Sequence, residues 1–208
     1  MNRTIRCVVC ASILTVGGIA IAQAAPAAPP KIAFGAPDPA LAPAGSYALD
    51  ASHTAVVARV SHIGYSFSIF RFGKTAGSLT WDPKASANSK LSATVETASI
   101  ETPVPGFAEE LSGPKYLNAT AYPQATFAAT AFHPTDATHG KVDGAFTLMG
   151  KTKPVTFDVT LVGAGAGFFN HPRLGIHAET TINPQDYGMP PMFGTAVGLV
   201  IDSEFVKQ

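Results

Sequence analysis

The sequence predicts an all-β protein, an up-and-down antiparallel barrel of about eight strands with one short helix. Three observations predict it. Apolar and polar residues alternate with a period of two through most of the chain, the mark of half-buried strands. Gly, Pro and Asn turns break these stretches at hairpin-length intervals, and only one segment reads as a helix. A two-sheet sandwich is the alternative arrangement of the same strands.

Taken in order, residues 1–24 read as a secretory signal peptide. Arg3 and Arg6 give a positive start, Val8 to Ala22 an apolar run, and Ala22-Gln23-Ala24 a cleavage site. The run is too short for a membrane span of ~20 residues, so no transmembrane span is expected in the mature chain. Cys7 and Cys10 both fall inside this segment, which removes disulfide and thiol chemistry from the mature protein. Residues 25–45 hold Pro26, Pro29, Pro30, Pro37, Pro39 and Pro43 among alanines. That composition predicts an extended, flexible leader. The folded domain is expected over 46–208.

Within it, strands are expected at 46–50, 54–62, 74–81, 90–100, 124–132, 141–148, 153–161, 173–182 and 197–206. The clearest alternation is the hairpin from Lys141 to Leu161. There Val142, Gly144, Phe146 and Leu148, then Val155, Phe157, Val159 and Leu161, share one face across a tight turn containing Gly150. Pro154 cannot donate to a ladder and is placed at a strand start. The helix is expected near 104–111, between Thr102-Pro103 and Ser112-Gly113-Pro114, with Glu109 and Glu110 facing water. Barrels of eight strands stand at a threshold where the interior is either filled by side chains or holds one small ligand. Ala58, Ala93, Gly144, Ala178 and Thr180 are small residues at expected interior positions and would leave space.

Net charge is zero, with 14 Lys+Arg against 14 Asp+Glu. No basic stripe is present, so nucleic acid is not an expected partner. The six histidines form no ligand motif; His53 and His62 bracket a strand, and the others flank turns. No metal site is therefore expected. No Gly-x-Ser-x-Gly elbow occurs, so no catalytic residue is assigned. Gly163-Ala164-Gly165-Ala166-Gly167 is not followed by a helix that could hold a phosphate, and it reads as a flexible loop.

The segment Gly144-Ala145-Phe146-Thr147-Leu148-Met149-Gly150-Lys151-Thr152-Lys153-Pro154-Val155 resembles the signature of the YceI-like polyisoprenoid-binding family. Tyr47-Ala48-Leu49-Asp50 with Ser52-His53, Val60 to Gly64, Thr97 to Thr102, Tyr122 to Phe127, and Ala178 to Asn183 with Asp186-Tyr187-Gly188-Met189 resemble further family segments, in the same order. Where relatives carry a basic residue after the Ile-Asn step, this chain has Pro184-Gln185.

The resemblance implies a lipocalin-like barrel with an elongated apolar cavity. It also implies a long-chain isoprenoid, quinone or fatty-chain lipid as the ligand, and a periplasmic or secreted location. No cofactor is expected beyond such a lipid. Under this barrel reading the wall candidates are Val56, Ala58 and Val60 on the first strands, then Phe127. The hairpin adds Phe146, Leu148, Phe157 and Val159, and the last strands Ile176 and Leu199. Each is also an ordinary core residue if the barrel is filled. The expected role is binding, sequestration or transport without catalysis. The rivals are an enzyme acting on a lipid or isoprenoid quinone, with His53, His62 or Asp186 converging in the cavity, and a stress-protective protein with a filled barrel.

Overall fold

The computed structural model describes residues 34–167, 171–194 and 196–208. The expected signal peptide and the first part of the leader, residues 1–33, lie outside the described residues. Among the described residues the chain forms β1 (Gly45–His62), β2 (Ser66–Phe72), β3 (Thr75–Trp81), β4 (Lys90–Glu96) and β5 (Ile100–Glu101). A helix α1 (Phe107–Ser112) follows, then β6 (Gln124–Pro134), β7 (His139–Leu148), β8 (Lys151–Gly165), β9 (Arg173–Ile182) and β10 (Val197–Lys207).

These ten segments make an eight-stranded closed barrel. Every pairing is antiparallel, in the order β10-β9-β8-β7-β6-β4-β3-β1, and β1 returns to β10. Along its other edge β1 pairs first with β3 and then with β2, so β2 and β3 together form one broken strand. Likewise β5 extends the path of β4, because Ile100 and Glu101 pair with Phe72 and Arg71. Neighbours in sequence are neighbours in space, the up-and-down topology, and closure leaves few free edges.

Several local expectations are corrected. The strands expected at 46–50 and 54–62 are one strand with a bulge, since β1–β10 pairing shifts register between Asp50 and Ala55. Thr54 Oγ1 donates to Asp50 O at 2.8 Å and Ser52 N to Asp50 Oδ1 at 3.0 Å, which gives the displaced backbone new partners. β2 was not expected at all. The stretch expected as one strand over 90–100 is broken by a turn at Thr97–Ser99, where Thr97 is buried and donates to Tyr122 O at 2.7 Å. The helix starts at Phe107, behind Gly106 in the left-handed region (φ 76). Glu109 and Glu110 are exposed as expected.

Pro154 is the fourth residue of β8 and does not start it. It faces Ala145 of β7, and β9 joins β8 only from Asp158 onward, so one side of the ladder is vacant where proline lacks its donor. Gly163–Gly165 belongs to β8 and pairs with Gly175, Leu174 and Arg173, so it is no loop. Part of the stretch expected as a flexible leader is packed. Ala36 bridges Ala164 through hydrogen bonds of 3.0 and 2.8 Å, and Ala42 is fully buried, so from Ala36 this segment packs against the barrel.

The core divides into two apolar clusters. One gathers Val60, Phe70, Leu111, Tyr116, Leu148 and Phe193 near α1. The other gathers Ala42, Tyr47, Leu79, Leu161, Leu174 and Phe205. On the strands, alternation puts the members of these clusters inside and most aspartates and lysines outside, while Ala42, Leu111, Tyr116 and Phe193 pack onto them from the helix and connections.

Candidate functional site

A cavity of about 310 Å³ occupies the barrel and borders residues of both clusters. Voids in a packed core rarely exceed a water molecule, so a space of this size is more than a packing defect. The interior is not filled. Its wall takes apolar side chains from every strand of the barrel: Val56 of β1, Phe70 of β2, Leu79 of β3, Leu91 of β4 and Phe127 of β6 on one side, and Phe146, Phe157, Ile176 and Leu199 of β7 to β10 on the other.

All ten wall candidates border this cavity. Val56, Ala58 and Val60 do so from β1, Phe127 from β6, Phe146 and Leu148 from β7, Phe157 and Val159 from β8, Ile176 from β9 and Leu199 from β10. A two-residue period fixed their faces, because one inward residue places every second neighbour inward. Wall residues that were missed include Phe70 and Phe72 of β2, with Trp81, Leu111, Leu117 and Phe205. Phe70 and Phe72 flank the outward Arg71, an alternation readable in the sequence once β2 is admitted.

Of the small residues expected to leave room, Ala58, Ala93 and Ala178 border the cavity, whereas Thr180 does not and neither does Gly144. A Cβ there would lie 2.3 Å from Phe127 Cζ and 2.7 Å from Ala128 O. The absent side chain lets the Phe127 ring lie against β7. Phe127 in turn meets Phe157 edge-on at 5.1 Å between centroids, and Phe146 meets Tyr187 the same way at 5.5 Å.

Polar groups are few inside and gather at one rim. Thr54 and Thr97 spend their hydroxyl hydrogens on backbone carbonyls. Thr75 Oγ1 and Trp81 Nε1 are buried without a protein partner. The rim is the β6–β7 connection, where His133, Asp136, Thr138, His139 and Lys141 border the cavity together with Ser86. Asp136 accepts from the backbone N–H groups of Thr138 (2.7 Å) and His139 (2.8 Å), with the His139 ring 3.0 Å away. Those hydrogen bonds, the Thr138 amide foremost, hold its carboxyl at about 2. His133 lies 2.9 Å from Asp143, and Lys141 pairs with Asp158.

The histidines proposed for a catalytic cavity are elsewhere. His53 sits on the β1 bulge beside Asp50, His62 ends β1 exposed, and Asp186 lies in a turn hydrogen-bonded to Asn183. None of the three borders the cavity. On the outer face, ligand atoms of Asp50, His53 and Glu204 come within 4.8 Å of one another. Arg173 Nη1 already donates to Asp50 and to Glu204, each at 2.7 Å, and supplies the positive charge that this cluster requires.

The sequence matches the YceI-like domain over residues 47–205. It is 35% identical over 169 residues to a UPF0312 protein of Pseudomonas putida (strain W619), covering 79% of this chain and 88% of that one. Protein YceI of Shigella flexneri is likewise 35% identical, over 170 residues, with the same coverage. Among solved structures, Burkholderia cenocepacia BcnA superposes with a TM-score of 0.68 at 22% identity, over 75% of this chain and 98% of that one. A polyisoprenoid binding domain from Saccharophagus degradans implicated in plant cell wall breakdown superposes at 0.56 with 14% identity, over 78% and 98%. These structural likenesses carry the barrel fold.

Proposed function

The chain belongs to the YceI-like domain family, and on that premise we propose that its barrel binds a long-chain isoprenoid or similar lipid in the apolar cavity. The observation that carries this reading is the 310 Å³ space walled by apolar side chains from all the strands. The polyisoprenoid-binding neighbour with the same fold supports the choice of chain. Each methylene moved from water onto such a wall contributes up to ~0.8 kcal/mol. Ordering a flexible chain offsets much of that, so the affinity follows the fit of the chain to the wall.

The role proposed is sequestration or transport without catalysis, in an exported protein. The β6–β7 rim supplies the only concentration of polar groups around the cavity among the described residues. It suits an uncharged quinone or hydroxyl headgroup, because Asp136 is ionised there and Lys141 is already paired with Asp158. The aromatic pair Phe127 and Phe157 bounds the space in which the lipid tail runs.

Organic extraction of purified protein followed by mass spectrometry tests the reading. A prenyl-chain or fatty-chain lipid should be recovered in near-stoichiometric amount. Added isoprenoid should raise the unfolding temperature, since a ligand at a hundredfold excess over Kd stabilises by ~2.7 kcal/mol. Repeatedly empty preparations with no thermal protection would overturn it.

A further inference from the structure

The β1–β2 hairpin reverses the polarity of the wall from which it grows. Near the barrel its inner row is Ala58, Val60, Phe70 and Phe72, all on the cavity. Towards the tip the inner row becomes His62, Ser66 and Ser68, while the outer row carries Phe67 and Ile69, 56% and 45% exposed. The turn itself presents Ile63 and Tyr65, 81% and 88% exposed.

Ile63 has a φ of 56°, a left-handed conformation that a β-branched side chain rarely adopts. An isoleucine that is strained and 81% exposed costs backbone energy and buries little apolar surface in return, a combination that calls for a use outside the fold. Contiguous exposed apolar residues mark interaction surfaces. The same end of the barrel, next to α1, also exposes Val104.

Beyond the bulge at Asp50, the charge on the hairpin has one sign. Residues 51–81 contain Arg59, Arg71 and Lys74 and no Asp or Glu. Arg71 faces Glu101 of β5 and Lys74 faces Glu96, whereas the Arg59 guanidinium lies over the Phe67 ring, 4.6 Å from its centroid. Aliphatic tip, aromatic flank and a cation behind them is the order in which a bilayer presents acyl chains, interface and phosphates.

We propose that the β1–β2 tip docks the protein on a phospholipid bilayer, with Ile63, Tyr65 and Phe67 entering the interface and Arg59 meeting lipid phosphates. This inference rests on the lipid-binding reading, since a barrel that exchanges a membrane-resident lipid must meet the membrane. The hairpin joins the two surfaces, because its inner row is cavity wall. A protein strand added to the free edge of β2 would cover Phe67 and Ile69 but leave Ile63 and Tyr65 in water.

The test is flotation of the purified, lipid-stripped protein with vesicles of phosphatidylcholine and phosphatidylglycerol containing no isoprenoid. The native protein should float. The triple variant Ile63→Asn, Tyr65→Ser, Phe67→Ser should lose binding at least tenfold while keeping its unfolding temperature and its uptake of polyprenol added from ethanol. A native protein that stays at the bottom, or a variant that floats equally well, would overturn the docking. So would conversion of a dimer into a monomer by the variant without vesicles, which would assign the patch to a second copy. Flotation that persists while ethanol-delivered polyprenol is not taken up would refute the cavity reading and leave the docking intact.

Discussion

Gly144 and Phe127 illustrate how a single position sets the shape of the interior. An added methyl at Gly144 would meet both a movable ring and the immovable Ala128 carbonyl. Gly144→Ala should therefore cost about 1–3 kcal/mol in urea unfolding and weaken lipid uptake, as the Phe127 ring is driven towards the cavity. Charged residues act on the outer face with signs that can be separated by pH. The hydrogen bond with His53 and then that from Arg173 hold Asp50 at about 2, below its ordinary 3.8. A depressed carboxyl stabilises above its unfolded pKa and loses that contribution as pH falls from about 4 towards 2. Asp50→Asn should cost about 1–3 kcal/mol at pH 7, and the gap to the native protein should close in urea titrations as pH approaches 2. His177 works in the opposite direction, because Asp202 and then Glu179 raise its pKa above 6.5. Its contribution is complete below pH 6.5 and is lost as pH rises through the raised value, so His177→Gln should be felt at pH 5.5 and not at pH 9.

At the scale of elements, the β7–β8 hairpin was legible because local chemistry and fold agree. Met149 and Gly150 have φ of 50° and 71°, the paired left-handed turn that matches strand twist, and Leu148 faces Lys151 across it. Gly150 also lies under Tyr122, where a Cβ would approach Cε1 to 2.7 Å. Gly150→Ala should cost about 1–2 kcal/mol from the turn conformation alone, measured as a lower urea midpoint with an unchanged slope. The β1–β2 hairpin was not legible. Its turn has Ile63 where Asn or Gly is usual, and Phe67 and Ile69 face outward, so apolar character no longer reports burial there. The bulge after Asp50 misled in another way. Ser52, His53 and Thr54 look like a turn in sequence, but Thr54 and Ser52 bond back to Asp50 and keep β1 continuous. Pro154 was displaced because its tolerance depends on β9 being absent beside it, a tertiary fact that no local pattern contains.

For the molecule as a whole, alternation identified the part of the wall carried by the expected strands but not β2 or the helix, and closure of the sheet turned that wall into a container. Val56, Ala58 and Val60 lie far in sequence from Phe146 and Leu199, yet all face one space because β1 pairs with β10. Whether that space is empty could not be read from side-chain size: Gly144 looks like room and is occupied by Phe127. The rim was illegible for a related reason, since His133, Asp136 and His139 acquire meaning only when the β6–β7 connection comes to border the cavity. The proposed membrane contact and the cavity both depend on the assembled barrel, the first at the β1–β2 tip and the second bordered by both apolar clusters. The most direct test of the central claim is native mass spectrometry of the lipid-stripped protein titrated with a polyprenol, alongside Ala58→Trp, which places an indole inside the cavity. The account predicts one bound lipid per native chain and at least a tenfold loss in the tryptophan variant. Equal binding by both proteins, or none by the native protein, would contradict it.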